Sequence, residues 1–486
     1  MAEIQHVVSM GERSSDSEEA ETQSISISLK ARFKTVNEAA EENKKNKSQS
    51  QSQSPTPKIQ KVIFLLRDTK DFEKYYEPRV VSLGPIHHGK EKYQQGEKYK
   101  LLLTSEFVKG SGKKINDLYM KIERRIKKLK DCFEEEVIKK YDGDDEGLAW
   151  LLFVDGCAIL QYMYCATNKD KGKLDDLSIK NDSVVFADQD LFLLENQVPY
   201  CLLKWLMRWS KNKEELEISI HKFIKEHVEV PLPKYHSSIF RCTCLSSLSW
   251  KQKQAESSHS KQKPRDPTHL LDLLRTSLLD THQPINPKKQ SGQNTWQSYR
   301  NVQDLRAAGI YVERSKNEKR CLSDISFTSL ACCLGYLWLP PLTVDDSMRP
   351  KFLNLIAYEM SLDFKNDFGI TSYISFLDSL IDEANDVKLL RKAGVLYNRL
   401  GSDEEVAKLF NEIGTNLVPS IEIYSDVRLE IQKHYNNTLR NWIAQVIHDH
   451  FSSPWAFIAF FGVLLALALT ITQTWYAVHP SSGPCN

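Results

Sequence analysis

Apolar residues follow three distinct patterns along this chain, and each predicts a different kind of helix. From Trp455 to Thr472 eighteen residues carry no charge, and the uncharged stretch continues to Val478. Ten of those eighteen are Leu, Ile, Phe or Val, together worth about −3 to −6 kcal/mol for insertion into a bilayer. At about 1.5 Å per residue the stretch is about 27–36 Å long, the thickness of a hydrocarbon core of about 30 Å. Pro454 and Trp455 stand at its start and Trp475 and Tyr476 near its end, where aromatic residues favour the membrane interface. The pattern predicts a single transmembrane helix over residues 451–478, followed by a short tail, 479–486.

A second apolar run, Leu148 to Ala166 (LAWLLFVDGCAILQYMYCA), is hydrophobic nearly all round, with Asp155 its only charge. A carboxylate at mid-span costs about 2.5–3.5 kcal/mol on the insertion scale, so this run reads as a helix buried in a protein core. The third pattern is periodic. Between Ile115 and Tyr141 the apolar positions 115, 118, 122, 126, 129, 133 and 137 fall on one face of a helix. The other face carries Lys113, Arg124, Arg125, Lys127, Lys128 and Lys130, then Glu134 to Glu136. That face reads as solvated surface, with acidic lipid as the sharper alternative.

Other stretches fill in the fold. The segment YYEPRVVSLGPIHHGK is held extended or turned by Pro78, Gly84 and Pro85. A short helix is expected over His269–Leu279, a small sheet within Asp324–Val344, and helices over Thr371–Ile381, Asp386–Val395 and Asp403–Ile413. Ser402 followed by acids is a helix start. Residues 1–58 are rich in Ser, Glu, Lys and Gln and cannot bury enough apolar surface to offset ordering entropy, so they read as disordered, with room for a short helix within Ser28–Asn43. Residues 59–450 read as one large, mainly α globular domain (α+β with a minor β component), with variable loops at 246–267 and 283–299.

Composition narrows the function. The 486 residues are 41% hydrophobic and 27% charged with a net charge of +1, which supplies no global electrostatic footprint for nucleic acid. The start of the chain has no basic region followed by an apolar run, so no secretory signal is read there. The ten cysteines lack zinc spacing, and a reducing cytosolic setting for the bulk is expected. Lys433 and Arg440 precede the span while the tail has neither Lys nor Arg, which places the bulk in the cytosol and makes the chain tail-anchored, in the plasma membrane or the endoplasmic reticulum. The sequons at Asn46, Asn181 and Asn436 would then go unused.

Candidate chemistry is sparse. His87 and His88 lie on a tight loop and read as a turn-stabilising pair. Asp155 reads as a buried acid that accepts hydrogen bonds from a neighbouring loop, and Glu195, Asn196 and Gln197 as caps for backbone groups freed by the helix break before Pro199. No GxSxG, HExxH, Walker A or GxGxxG pattern occurs, and no catalytic, cofactor or metal residues are assigned.

Taken in order, the segments YYEPRVVSLGPIHHGK (75–90), FVDGCAIL (153–160), LFLLENQVPY (191–200) and HLLDLLR (269–275) resemble a plant family catalogued as domain of unknown function 247. The likeness continues through DLRAAGI (304–310), FLNLIAYE (352–359), SYISFLDSLI (372–381), NRLGSDEEVAKLFN (398–411) and PWAFIAF…LTITQT (454–474). It covers about residues 59–478. Ile86 stands where the family often has Tyr, and DLRAAGI lacks the usual preceding Ala-Thr. The resemblance implies a plant source and a C-terminal span, and supplies no catalytic residues. Some members are linked to self/non-self recognition in reproduction, which no motif carries to this chain. It marks as structural positions Gly84, Pro85, His87, His88, Asp155, Gly156, Glu195, Asn196, Gln197, Pro199, Asn354, Glu359 and Asp386.

The reading that results is a non-enzymatic, membrane-anchored component that engages a protein partner in recognition or signalling. The alternatives are a tethered enzyme using Asp155, Glu195 and His87 or His88 as acid–base groups, and acidic-lipid binding by the 113–130 face. Gly462-x-x-x-Ala466 offers a small-residue face for self-association.

Overall fold

Asp144 opens the helix around which the first half of the chain is arranged. Its carboxylate accepts the Gly147 N–H (2.8 Å) at the head of a helix running Asp145–Thr167, which is the N-cap role its side chain favours. In the computed structural model, residues 32–38, 41, 57–168, 174, 177, 179–230, 265–279, 301–316, 321–330, 334–364, 367–415, 417–420, 422–436 and 454–478 are described. The chain divides into Met1–Thr56 and Pro57–Asn486. In the first unit residues 32–38 and 41 are helical, within the 28–43 window; Pro57, which is buried, and Lys58 are also described, and the rest of the expected disordered head lies outside the described residues, as do loop 283–299, most of loop 246–267 and the tail.

In the second unit the α-helices of five or more residues before the first strand are α1 (Phe72–Tyr76), α2 (Gln94–Ser111), α3 (Ile115–Glu123), α4 (Ile126–Lys130), α5 (Asp145–Thr167), α6 (Asn181–Asp190), α7 (Tyr200–Trp209), α8 (Lys213–Val228), α9 (Leu270–Leu279) and α10 (Val302–Ala307). After strands β1 (Ile310–Arg314), β2 (Ser326–Ser329), β3 (Gly335–Leu339) and β4 (Leu342–Val344) come α11 (Met348–Glu359), α12 (Gly369–Asp378) and α13 (Ala384–Lys392). The order closes with β5 (Leu396–Asn398), α14 (Asp403–Ile413), α15 (Ser425–Tyr435) and α16 (Pro454–Val478). Among the described residues 62% are helical and 7% are in strands, so the fold is mainly α with minor β.

α5 is buried over 89% of its most apolar window, because α2, α3, α7 and α8 all pack on it. A helix wrapped on every side needs no polar face, and this disposes of the rival span. Gly156 lets α7 come close: a Cβ there would stand 2.7 Å from Leu206 Cδ1 and 3.2 Å from Leu202. α16 differs entirely. Its window Ile458–Trp475 has a mean hydropathy of 1.8 with no residue buried, so the helix is long and apolar enough to cross a membrane.

The single amphipathic helix expected over 115–141 is broken into α3, α4 and a short turn of helix at Glu135–Ile138. Leu118, Ile122, Ile126, Leu129, Phe133 and Val137 are nevertheless all buried, while Ile115 is exposed. The chain bends after Arg125 and again at Cys132–Phe133, where Ile59 N–H donates to Cys132 O (2.8 Å) and Glu134 N–H to Ile59 O (3.0 Å). That two-residue bridge pulls the backbone out of helical geometry, and the adjacent cations at 124, 125, 127 and 128 repel one another at helical spacing.

The expected sheet within 324–344 is present and has partners outside that window. β1 pairs parallel to β3 and β2 antiparallel to it, in the order β1-β3-β2. β4 runs on beyond the Pro-Pro bend and pairs in parallel with β5. In β3, Gly335, Leu337 and Leu339 face the core while Tyr336 and Trp338 are half-buried, the period of two that a half-buried strand shows. α14 begins at Asp403 with the Ser402 hydroxyl accepting the Glu405 N–H.

Two glycines fix how the Pro78–Lys90 segment sits on this helical frame. Gly84 has φ +66° and a Cβ there would strike the Gln197 carbonyl oxygen; a Cβ on Gly96 in α2 would strike the Val80 carbonyl oxygen. Gly84→Ala and Gly96→Ala are each expected to lower unfolding stability by about 2–4 kcal/mol, through backbone collision and, at 84, left-handed strain. Urea melts of the two variants check this; Gly89→Ala, open on all sides within 4 Å at φ +89°, is expected to cost only about 1 kcal/mol.

Candidate functional site

Loop 78–90 crosses the protein with no strand or helix to pair its backbone, so its amides have to find side chains. Asp190, at the end of α6, takes three of them: its carboxylate accepts N–H groups from Arg79 (2.9 Å), Val80 (2.8 Å) and Val81 (2.9 Å). Asn196 Oδ1 takes the next, from Leu83 (2.7 Å), while its Nδ2 donates to the carbonyls of Val81 (3.0 Å) and Asp190 (2.9 Å). Asp155, half-way along α5, accepts the Gly84 N–H (2.7 Å). The Tyr93 hydroxyl closes the start of the loop by donating to Pro78 O (2.8 Å).

Lys100 projects from the buried face of α2 into this cradle. Its ammonium donates to Ser82 O (2.8 Å) and Asp155 Oδ1 (2.6 Å), and Glu97 lies 2.8 Å away. Burial pushes the Asp155 carboxyl up to about 6, against the pull of Lys100 and the Gly84 amide. For Lys100 burial favours the neutral amine, yet Asp155 and Glu97 outweigh it and hold its pKa above the ordinary lysine value. At neutral pH the pair is therefore ionic. Burial also raises the Asp190 carboxyl, opposed by its three amides.

Glu195, Gln197 and Asn354 carry the same logic outward. Glu195 Oε1 accepts the Val62 N–H (2.8 Å) and pairs with Arg67, and its Oε2 lies 3.2 Å from His87 Nε2. Gln197 donates to Leu191 O and Leu193 O (both 2.8 Å) and accepts the Leu271 N–H at the head of α9 (3.2 Å). Asn354 on α11 accepts from Leu194 N–H and donates to Tyr75 O, each at 2.8 Å. Pro199 precedes α7 as its N-terminal flank. Glu359 caps α12, accepting from Ile370 N–H (2.9 Å) and Thr371 N–H (2.8 Å), and is paired with buried Arg275. Asp386 holds Gln303, Asp382 and Glu383 N–H groups at 3.0–3.2 Å.

Asp155 accepts an N–H from the neighbouring loop; of the 195–197 run, Asn196 and Gln197 bind the nearby carbonyls of Asp190, Leu191 and Leu193, whereas Glu195 and the Asn196 oxygen serve the distant amides of Val62 and Leu83. The two histidines part company: His87 is buried against Glu195, whereas His88 is half-exposed, 3.9 Å from Glu97. Lys100, Asp190, Arg275 and His269 went unnoticed in the sequence. Lys100 was findable, because it falls on the stripe Gly96, Lys100, Leu103, Phe107 that α2 buries. Asp190 carried no such signal, since its partners are three backbone amides about 110 residues earlier.

Space for a ligand at the cradle is small. A cavity of about 50 Å³ lies between the loop, α2, α5 and α6, lined by Val80, Leu83, Tyr99, Leu103, Ile159 and Leu191. It is apolar and holds no more than a water or two in volume. Every carboxylate oxygen of Asp155 and Glu195 already faces a partner. A larger, open groove of about 700 Å³ lies elsewhere, with Arg349, Asp382, Glu404, Lys408 and Glu412 on its walls. Among the described residues no group of three or more His, Cys, Asp or Glu is placed to hold a metal ion.

These contacts generate two expectations. Asp155→Asn leaves the buried Lys100 ammonium with only Glu97 and the Ser82 carbonyl and should cost about 3 kcal/mol, the low end for breaking a buried pair; Lys100→Met/Asp155→Leu together should cost less than the two single changes summed, in a double-mutant cycle by urea melts. The second concerns His269, fully buried ahead of α9, whose Nδ1 accepts the Asp272 N–H (3.1 Å) and whose pKa burial lowers to about 4. Below the unfolded value the unfolded chain binds the extra proton, so stability present above pH 6.5 is lost as pH falls towards 4. His269→Asn keeps an acceptor that does not titrate, and its loss over that window should be smaller than that of the unchanged chain by up to about 3 kcal/mol.

The chain is related to known proteins over nearly all of the body described above. It is 27% identical over 430 residues to "UPF0481 protein At3g47200" of Arabidopsis thaliana, spanning 83% of each chain. To "Putative UPF0481 protein At3g02645" of the same plant it is 20% identical over 485 residues, spanning 84% of this chain and 88% of the relative. No solved structure matches it. A family model described as a plant protein of unknown function, DUF247, matches residues 59–469; by that match, from the Ile59 bridge through the buried cradle and into α16, this chain belongs to the DUF247 family.

Proposed function

We propose that this protein is a membrane-anchored, non-catalytic interaction component whose body faces the cytosol. The observation that carries the reading is α16: eighteen consecutive residues from Ile458 to Trp475 with none buried and a mean hydropathy of 1.8. Leaving such a helix in water exposes apolar surface at about 25 cal/mol per Å², and a bilayer removes it. Lys433 and Arg440 on the body side and no Lys or Arg in the tail favour a cytosolic body.

The non-catalytic part of the reading is supported by how the interior acids are used. Asp155, Asp190, Glu195, Glu359 and Asp386 are all nearly or fully buried and all bind backbone amides. General acid–base work needs a group within reach of a substrate proton, whereas these groups hold loops and helix ends. What the frame presents outward is surface, suited to a partner in recognition or signalling.

The topology test uses intact microsomes carrying the full chain with an epitope after Asn486. The expected result is resistance to alkaline carbonate extraction, with protease removing the body and sparing the C-terminal epitope. Carbonate release, or a protected body with a digested epitope, overturns the reading.

A further inference from the structure

Away from the cradle, a second concentration of charge lies on α3, α4 and α7. Residues 113–130 and 200–211 hold eleven Lys and Arg against two acids, Asp117 and Glu123, in a chain whose net charge is only +1. The fold stacks two tryptophans in their midst. Trp205 and Trp209, one turn apart on α7, lie with ring centroids 6.5 Å apart. Lys121 sits 5.2 Å over the Trp209 ring, Arg125 5.1 Å over Trp209 and 5.5 Å over Trp205, and Lys128 5.8 Å over Trp205.

At its edges this face is neutralised, by Lys130 with Asp145 and Lys204 with Asp266. At its centre it is not. Arg124, Arg125, Lys127, Lys128 and Arg208 are exposed and, among the described residues, none of them pairs with a carboxylate. Covering the two half-exposed rings accounts for three of the cations, as surface cation–π pairs. Arg124, Lys127 and Arg208 have no such partner, and like charges crowded at helical spacing oppose folding, so the cluster calls for an anionic surface outside the protein.

We propose that the α3–α4–α7 face is a docking surface for an anionic bilayer, with Lys and Arg on lipid phosphates and carboxylates and Trp205 and Trp209 at headgroup level. Tryptophan beside lysine and arginine is the composition of interfacial segments, and basic residues near an acidic leaflet are drawn to it. The bilayer is favoured over other polyanions because the same chain carries α16. Only seventeen residues, 437–453, join α15 to α16, at most about 60 Å of fully extended chain. The proposal rests on the anchoring reading above.

The test reads contact directly, since the anchor alone would hold the protein on any membrane. Full-length protein is placed in nanodiscs of phosphatidylcholine, or of phosphatidylcholine with about 30 mol % phosphatidylserine, an acidic-leaflet composition. Hydrogen exchange is followed in peptides covering 121–130 and 204–211. Exchange should slow at least threefold on the acidic discs only, and the protection should vanish near 0.5 M salt, where screening length falls to about 4 Å. Lys127→Glu/Lys128→Glu should abolish it and Lys127→Arg/Lys128→Arg retain it, both with unchanged thermal transitions because the side chains are exposed. Equal exchange on the two discs overturns the proposal, as does equal protection on neutral discs by inorganic phosphate or by single-stranded RNA. Failure to enter discs at all tells against the anchor instead, and the same exchange comparison on vesicles of the two compositions then decides the docking face.

Discussion

A loop that crosses the interior without a partner strand leaves every N–H with a debt to solvation, and the rest of this structure depends on how loop 78–90 is satisfied. An unpaired buried amide costs about 1–3 kcal/mol. Here Asp190 meets three amides, Asn196 one and Asp155 one. These acceptors come from the end of α6, the turn after it and the middle of α5, so satisfying the loop locks three elements to one another. Lys100 then balances the Asp155 charge from a fourth element, α2. The same device recurs where Glu359 heads α12 and Asp386 gathers the 303 and 382–383 amides.

This arrangement explains why acids such as Asp155, Asp190 and Glu359 sit in the interior: each binds backbone amides there. A carboxylate hydrogen-bonded to amides on one oxygen and paired with a cation on the other has its lone pairs directed at fixed partners. Removing such a group breaks the fold before it could break a reaction. Gly84 belongs to the same constraint, because its positive φ turns the chain so that its N–H reaches Asp155 while its Cα rests against the Gln197 carbonyl.

The sequence made local periodicity and end signals legible. α14 begins where Ser402 and its acids place it, and α5 is core because Asp155 is incompatible with lipid and compatible with a cap. It did not make long-range pairing legible. The 115–141 apolar stripe is a buried face but not one helix: it breaks after Arg125 and again at Cys132–Phe133, where Ile59, more than 70 residues away, pairs with it. β1 and β5 were missed for the same reason: each is short and acquires its identity from β3 or β4. The acceptors Asp155, Glu195, Asn196 and Gln197 were visible as polar interruptions of apolar runs. Asp190 was not, because it borders a polar helix; Lys100 lies on the stripe that α2 buries, but a lysine is ordinarily read as surface.

A net charge near zero says nothing about how charge is distributed, and here it conceals a division of labour. Six acids, Asp155, Asp190, Glu195, Asp272, Glu359 and Asp386, go inward, where backbone amides and a few cations hold them, while on α3, α4 and α7 exposed cations gather that no described carboxylate offsets. A chain tethered by α16 would meet a membrane at high effective concentration, so each surface contact need be only weakly favourable for docking to be populated. Under that reading the number of unpaired cations sets how long the face stays on the bilayer.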